Sequence, residues 1–153
     1  MRDAIHALKY RGGRDVAIPL AQRMADYWHD VGLRSDLLIP VPLHPQRERQ
    51  RGYNQSALLA AALAAQVVVP VDMAILYRTR ETASQTHLGQ HERWDNVRDA
   101  FACSDAPDHD LTGMRVMIID DVATTGATLD ACAAALRAQG ARSVSAFTLA
   151  HAV

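Results

Sequence analysis

The fold of this chain is decided by the stretch Val116-Met117-Ile118-Ile119-Asp120-Asp121-Val122-Ala123-Thr124-Thr125-Gly126-Ala127-Thr128-Leu129. Its four apolar residues predict a buried strand that ends at two adjacent acids. A turn of small and hydroxyl residues follows and opens a helix. Ligands of an open parallel sheet bind beyond the carboxyl ends of the strands. The two acids are therefore predicted to lie at a ligand site.

The residue types of this stretch suit a phosphorylated sugar. A carboxylate pair can accept hydrogen bonds from two neighbouring sugar hydroxyls. A turn of Thr and Gly at a helix start offers backbone N–H groups and hydroxyls to a phosphate. Together they describe a site for ribose 5-phosphate.

Two other interpretations explain less of the stretch. Ordinary acidic capping of a helix accounts for either acid singly, but not for the acids, threonines and glycine together. The acidic pocket of a receiver domain also needs a lysine at a late strand end. The only lysine of this chain is Lys9, near its start.

The overall composition fits an ordinary globular chain. It has 153 residues, of which 49% are hydrophobic and 22% charged, and a formal net charge of −1. This length favours one domain over residues 1–153, and the near-neutral charge gives no general case for nucleic-acid binding. Cys103 and Cys132 lack metal-ligand spacing and predict neither a disulfide framework nor a zinc site. Because no membrane span or secretory signal is recognisable, we expect a cytoplasmic protein with no membrane attachment.

Predicted strands alternate with predicted helices along the chain. Continuous apolar runs indicate buried strands, and apolar stripes at helical spacing indicate the helices between them. This alternation predicts an α/β domain with a mainly parallel sheet flanked by helices. The expected helices are residues 2–10, 16–31, 55–66 (capped by Asn54) and 126–139, and the expected strands are residues 37–40, 67–71, 74–77, 101–103 (at a sheet edge), 116–119 and 144–150.

The segment from residue 41 to 54 is a second functional candidate. It contains two prolines and a basic run, so it is predicted to be a loop, stiff at its start and charged at its tip. It follows a predicted strand and should lie at the same sheet edge as the acids. Arginine suits bidentate contacts with phosphate, which favours a pyrophosphate site. A solvated basic loop is the alternative, and in general the commoner reason for such a run.

The stretch 116–129 resembles the phosphoribosyl pyrophosphate (PRPP) signature of the type I phosphoribosyltransferases. Apolar residues, acids, Thr-Thr-Gly and the last threonine match it in order. Other segments resemble the ComF (competence protein F) family, and the match covers nearly the whole chain. These segments are Lys9-Tyr10-Arg11-Gly12, residues 41–55, residues 78–88 and residues 92–101. The resemblance implies a type I phosphoribosyltransferase fold, with a small helical hood (1–33) and a PRPP-binding core (34–153).

The resemblance also implies a role for each part of the site. Asp120 and Asp121 would be the catalytic pair that holds the ribose hydroxyls, and Mg²⁺ would arrive with PRPP rather than through protein ligands. The 5-phosphate would lie on Ala123, Thr124, Thr125, Gly126, Ala127 and Thr128, pyrophosphate on Leu43, His44, Arg47 and Arg51, and a flexible closing loop would include Arg78, Arg80, Gln85 and Thr86. Lys9 would sit at the mouth of the site or simply be solvated.

Two classes of function follow from the resemblance. The first is transfer of phosphoribosyl from PRPP to an acceptor that the sequence does not identify, with release of pyrophosphate. The second is an accessory competence protein for DNA uptake, which binds PRPP and single-stranded DNA beside a competence helicase without robust catalysis. In that case a basic groove would be formed by Arg47, Arg49, Arg51, Arg78, Arg80 and Arg93. The sequence leaves open whether the chain forms a homo-oligomer.

The chain departs from the ComF pattern in two respects. The family's zinc ribbon of two Cys-x-x-Cys pairs is not in the sequence, so functions of that ribbon are not carried over. Asp99 stands where glycine is usual, and Gly89 stands where serine is more usual. These two positions put local loop details in question, not the fold.

Overall fold

The described part of the chain contains both helices and strands, as the hydrophobic pattern predicts. The computed structural model describes residues 2–10, 13–80, 97 and 99–151. The helices are α1 (Arg2–Tyr10), α2 (Gly13–Asp30), α3 (Pro45–Arg51), α4 (Gln55–Val67) and α5 (Ala127–Ala138). The strands are β1 (Leu37–Pro40), β2 (Leu76–Arg78), β3 (Phe101–Cys103), β4 (Arg115–Ala123) and β5 (Ser143–His151), and a 3-10 turn covers Pro107–His109.

The central strand β4 organises the main sheet. This sheet is parallel, with the strand order β1-β4-β5. β4 is central because its apolar run is buried on both faces, as a strand between two layers of helices must be. β2 and β3 form a separate antiparallel pair, in which Tyr77 lies opposite Ala102. The prediction of an α/β fold with a mainly parallel sheet is confirmed.

Two hydrophobic layers cover the faces of this sheet. Leu38, Met117 and Ile119 point to the layer built from α1, α2 and α4. The intervening residues, such as Ile118, point to the layer built from α5 and the β2–β3 pair. This alternation follows from the two-residue period of a strand.

The basic segment after β1 differs from the prediction. It was expected to be a loop, but Pro45–Arg51 forms the short helix α3. The His44 imidazole accepts a hydrogen bond from the Gln46 N–H, and Pro45 occupies the first turn, where a missing N–H costs nothing. Gly52, at a φ of 87°, ends the helix in the left-handed conformation. Pro45, which the prediction placed in a loop, therefore lies in the first turn of a helix.

Several boundaries of helices and strands also differ from the predicted ones. α2 begins three residues before the expected start at residue 16 and carries Pro19 within it. Of the extended segment expected at 67–71, Val67 ends α4, Val68 is left-handed with a φ of 56°, and only Val71 makes a parallel bridge, to Leu38. Asn54 caps α4 as predicted, because its Oδ1 accepts hydrogen bonds from two backbone N–H groups of the first turn.

Among the described residues, no helix combines the length and the apolar character that crossing a membrane requires.

Candidate functional site

The acid pair lies inside β4 rather than after it. The strand was expected to end at Ile119, but it continues to Ala123, and Asp120 pairs with Thr148 of β5. Pairing with a long neighbour satisfies the backbone of these residues, so polar side chains alone do not end the strand. Both carboxyl groups are buried, with Asp120 9% and Asp121 3% exposed.

Asp120 is held by neutral donors. Its Oδ1 accepts a hydrogen bond of 2.7 Å from the Ser56 hydroxyl, on the first turn of α4, and one of 2.9 Å from the Asp121 N–H. Burial, and after it the charge of Asp121, raise the pKa of Asp120 to about 7, while the Ser56 hydrogen bond opposes this rise. Asp120 therefore takes up a proton far more readily than an ordinary carboxylate.

Asp121 has a cationic partner. The Lys9 ammonium, supplied by α1, lies 2.6 Å from Asp121 Oδ2. At this distance the ammonium is a charge-assisted partner for the buried oxygen, to which the described residues supply no other donor. Of the two alternatives for Lys9, the structure favours the first, because its side chain contacts the acid pair.

The turn after β4 forms the start of α5. Gly126 has a φ of 81°, which a side chain would strain, and it precedes the first helical residue. Gly126 has no side chain, so the helix start receives no capping hydrogen bond from this position. The Ala127 N–H makes only a long contact of 3.4 Å with Thr125 Oγ1. Backbone N–H groups of a helix start are thus presented beside the acid pair, which is an arrangement that suits an anion.

The basic segment is anchored next to the same acids. The Val41 N–H donates to the carbonyl of Ile119, which immediately precedes Asp120, and the Asn54 side chain donates to the carbonyl of Val41. None of the residues of α3 is buried. The segment that contains Leu43, His44, Arg47 and Arg51 therefore starts at the acid pair and continues into a basic helix at the surface. The Arg51 guanidinium donates a hydrogen bond to the Gln55 side-chain oxygen.

Arg78 was expected in a flexible loop, but it lies in β2. Its guanidinium carbon is 5.3 Å from the centre of the Phe101 ring, and this half-buried position is fixed by pairing of Arg78 with Phe101 across the strands. Burial first, and then repulsion from Arg47 and Arg80, lower the pKa of Arg78. Arg47 on α3 and Arg78 on β2 are thus electrostatic neighbours. Gln85 and Thr86 lie outside the described residues.

Two contributors were missed or left undecided by sequence reasoning. Ser56 is 1% exposed and donates to Asp120 across the fold, but a serine in the first turn of an alanine-rich helix gives no sequence signal of that contact. Tyr53 packs its ring against Gly13 and donates its hydroxyl to the carbonyl of Leu8. Lys9, whose role the sequence left undecided, belongs to the short segment Lys9–Gly12, which is one of the segments that resemble the ComF family.

The donor set of the site suits Mg²⁺ only in part. Within the described ranges, no group of three or more His, Cys, Asp or Glu side chains is arranged to hold a metal ion. Two adjacent carboxylates can contribute to a magnesium ion that takes its other ligands from water and substrate oxygens, which is the usual way that proteins bind this ion.

Comparison with known proteins assigns the chain to a family. The model of the phosphoribosyl transferase domain matches residues 54–152. The chain belongs to this family. The matched residues include Ser56, the acid pair and the whole of the turn before α5. They exclude Lys9 and α3.

Curated relatives support the resemblance to the ComF family. The chain is 35% identical, over 87% of its length and 57% of the relative, to competence protein F of Haemophilus influenzae. It is 34% identical, over 95% of the chain and 64% of the relative, to the DNA utilization protein YhgH of Salmonella typhimurium. The chain thus spans less than two thirds of the length of these relatives.

Solved structures support the fold. The domain superimposes on the glutamine phosphoribosylpyrophosphate amidotransferase of Bacillus subtilis, complexed with ADP and GMP, with a TM-score of 0.58 and 18% identity. The superposition covers 95% of this chain and 30% of that one. Identity at this level shows the fold alone, which is that of the type I phosphoribosyltransferases.

Proposed function

We propose that this chain binds PRPP and transfers its phosphoribosyl group to an acceptor with release of pyrophosphate. The observation that carries the proposal is the buried acid pair of β4 beside the start of α5, in a chain of the phosphoribosyl transferase domain family. The acids suit a vicinal diol, and the N–H groups of residues 126–128 suit a phosphate a few ångströms away. Ribose 5-phosphate carries both groups.

Each segment has a separate task in this mechanism. Asp120 and Asp121 orient the ribose through its hydroxyls, and Ala123, Thr124, Thr125, Gly126, Ala127 and Thr128 hold the 5-phosphate. Leu43, His44, Arg47 and Arg51 hold pyrophosphate, beside which Arg78 and Arg80 lie. Mg²⁺, when bound, neutralises charge on the pyrophosphate oxygens.

Transfer breaks one bond and forms another at the same carbon. The bond from C1 of the ribose to the pyrophosphate oxygen breaks, pyrophosphate leaves with the electron pair, and the acceptor's nucleophilic atom bonds to C1. Positive charge develops on the sugar ring, as in glycoside cleavage. The acid pair favours that charge, and the cationic groups near Arg47 stabilise the leaving group.

The test is a calorimetric titration of Mg·PRPP, followed by a pyrophosphate-release assay with mixed bases and amines. The double variant Asp120→Asn with Asp121→Asn removes both ionisable groups at the site. A charge-assisted hydrogen bond contributes about 1.5–3 kcal/mol, so we expect an affinity loss of roughly 100-fold or more. The matched control, Asp105→Asn with Asp108→Asn, removes two carboxyl groups at exposed positions and should bind like the wild type. Equal affinity of the site variant and the control contradicts the proposal.

A second candidate function is favoured by the arginines of α3 and by the names of the relatives. In this alternative the domain binds PRPP as a ligand and handles single-stranded DNA for a competence helicase. Arg49 is exposed and is not among the residues assigned to pyrophosphate, so an Arg49→Gln variant separates the alternatives. It should weaken single-stranded DNA binding and reduce its salt dependence, with PRPP affinity unchanged. Robust pyrophosphate release with any acceptor argues for the transferase.

A further inference from the structure

The buried polar side chains of the described residues lie at one place in the fold. Across residues 2–10, 13–80, 97 and 99–151, the polar or charged residues that are buried are Asn54, Gln55, Ser56, Asp120 and Asp121. Burial of a polar group costs free energy unless the group is hydrogen-bonded. Their concentration at the start of α4 and in the acid pair of β4 therefore calls for a reason beyond packing.

Helix capping explains only the first residue of the α4 start. Asn54 Oδ1 accepts hydrogen bonds from the backbone N–H groups of Ser56 and Ala57, as an N-cap residue does. The Ser56 hydroxyl serves another purpose, because it donates a hydrogen bond of 2.7 Å to Asp120 Oδ1 across the fold. Alanine is the better helix former at such a position, so the helix alone does not favour a serine there.

The two residues before Ser56 contact the basic segment instead. Asn54 Nδ2 donates a hydrogen bond of 3.0 Å to the carbonyl of Val41, at the start of that segment. Gln55 Oε1 accepts a hydrogen bond from the guanidinium of Arg51, the last residue of α3. Three consecutive side chains of one helix start therefore contact the acid pair and both ends of the basic segment.

We infer that Ser56 and Gln55 are positioning residues, which hold the ribose half and the pyrophosphate half of the site in a fixed arrangement. The inference rests on the proposed function and deepens it. Because Ser56 holds Oδ1, it fixes the rotation of the Asp120 carboxyl group and directs Oδ2 to a ribose hydroxyl. Because Gln55 accepts from one guanidinium nitrogen, it directs the remaining N–H groups of Arg51 to pyrophosphate.

This assignment predicts effects that differ between the two halves of the ligand. Ribose 5-phosphate and pyrophosphate are the two parts of PRPP, so each fragment reports on one half of the site. Loss of the Ser56 hydroxyl should weaken binding of the ribose fragment, and loss of the Gln55 oxygen should weaken binding of pyrophosphate. A general weakening of the fold would instead lower the affinity for both fragments alike.

The experiment titrates the whole chain separately with ribose 5-phosphate, Mg·pyrophosphate and Mg·PRPP, followed by NMR. Ser56→Ala should bind ribose 5-phosphate about 10-fold more weakly than the wild type, as expected for loss of one hydrogen bond to a charged group, and bind Mg·pyrophosphate within about twofold of it. Gln55→Met, which keeps the shape of the side chain, should show the reverse pattern. Each variant should bind Mg·PRPP about 10-fold more weakly.

The matched controls make the same substitutions at exposed positions. Ser145→Ala lies on β5 and Gln50→Met on α3, and both should bind all three ligands like the wild type. If Ser56→Ala fails to fold, as judged by its thermal transition, Ser56→Cys replaces it. The cysteine preserves the volume of the side chain, and it should show the same selective loss because a thiol is a weak donor.

The outcomes separate this inference from the proposed function. Equal losses for both fragments in Ser56→Ala, or wild-type affinity for ribose 5-phosphate in that variant, overturn the inference. If the wild type binds Mg·PRPP and both variants bind it equally well, the inference is wrong and the proposed function stands. A wild-type chain that binds none of the three ligands contradicts the proposed function, and the inference with it.

Discussion

Replacement of Asp120 by asparagine should stabilise the protein while it weakens ligand binding. The substitution Asp120→Asn preserves the shape of the side chain and removes a single ionisable group. The Oδ1 atom of the new side chain can still accept the hydrogen bonds from Ser56 and from the Asp121 N–H. What disappears is the need to bury a negative charge next to Asp121.

The size of the effect follows from the raised pKa. Between the ordinary aspartate value and about 7, the folded state binds more protons at Asp120 than the unfolded state. Stability from this group is therefore fully present below about pH 4 and is lost as the pH rises through 7. Three pH units at about 1.4 kcal/mol each give a ceiling of roughly 4 kcal/mol. We expect about half of it, roughly 2 kcal/mol at pH 8, because the new amide group must also find an acceptor.

Thermal unfolding at pH 4.5 and at pH 8 measures this difference. For a chain of about 150 residues, 2 kcal/mol corresponds to roughly 4–8 °C in Tm. Asp120→Asn should melt higher than the wild type at pH 8 and within about 2 °C of it at pH 4.5, where Asp120 is already protonated. Asp108→Asn, an exposed control, should show no such pH-dependent gain. A variant that melts lower than the wild type at pH 8, or gains equally at both pH values, refutes the reasoning.

Two predictions concern the backbone. Val68 is left-handed and 88% exposed, so Val68→Gly should raise the free energy of unfolding by about 1 kcal/mol in urea titrations, since a β-branched residue is strained there and little packing is lost. A less stable variant would contradict this. Gly13→Ala should lower that free energy by about 1–3 kcal/mol, because the new methyl group would meet the Leu8 carbonyl and the Tyr53 ring at 2.6 Å. A neutral result would show that α1 can move away without cost.

Local signals predicted much of the fold. The apolar run of β1 and the cap at Asn54 were read correctly because each depends on neighbouring residues. The departure at Asp99 also has a local reason, since this residue has a φ of 55°, in the left-handed region where glycine is usual. The helix α3 was missed because prolines were read as loop residues, although Pro45 fits a first turn.

The site was less predictable, because its geometry depends on contacts between distant segments. The length of β4 is set by its pairing with β5. The sequence close to Asp120 does not include β5, so it cannot indicate that length. Ser56 and Lys9 reach the acids from α4 and α1, and neither helix has a sequence pattern that announces the contact. Placement of Arg78 in a strand likewise depends on its partner, Phe101.

These contacts separate what the signature stretch supplies from what the rest of the fold supplies. The stretch 116–129 provides the acids and the helix start, but the side chains that contact the acids, Lys9 and Ser56, come from outside it. A related chain with the same stretch and no lysine at the position of Lys9 should therefore keep the fold and lack the ion pair at Asp121. The buried pair also costs stability, since burial raises the pKa of Asp120 and makes its negative charge unfavourable. If the proposed function holds, the domain keeps two buried acids that a purely structural optimum would replace with neutral residues.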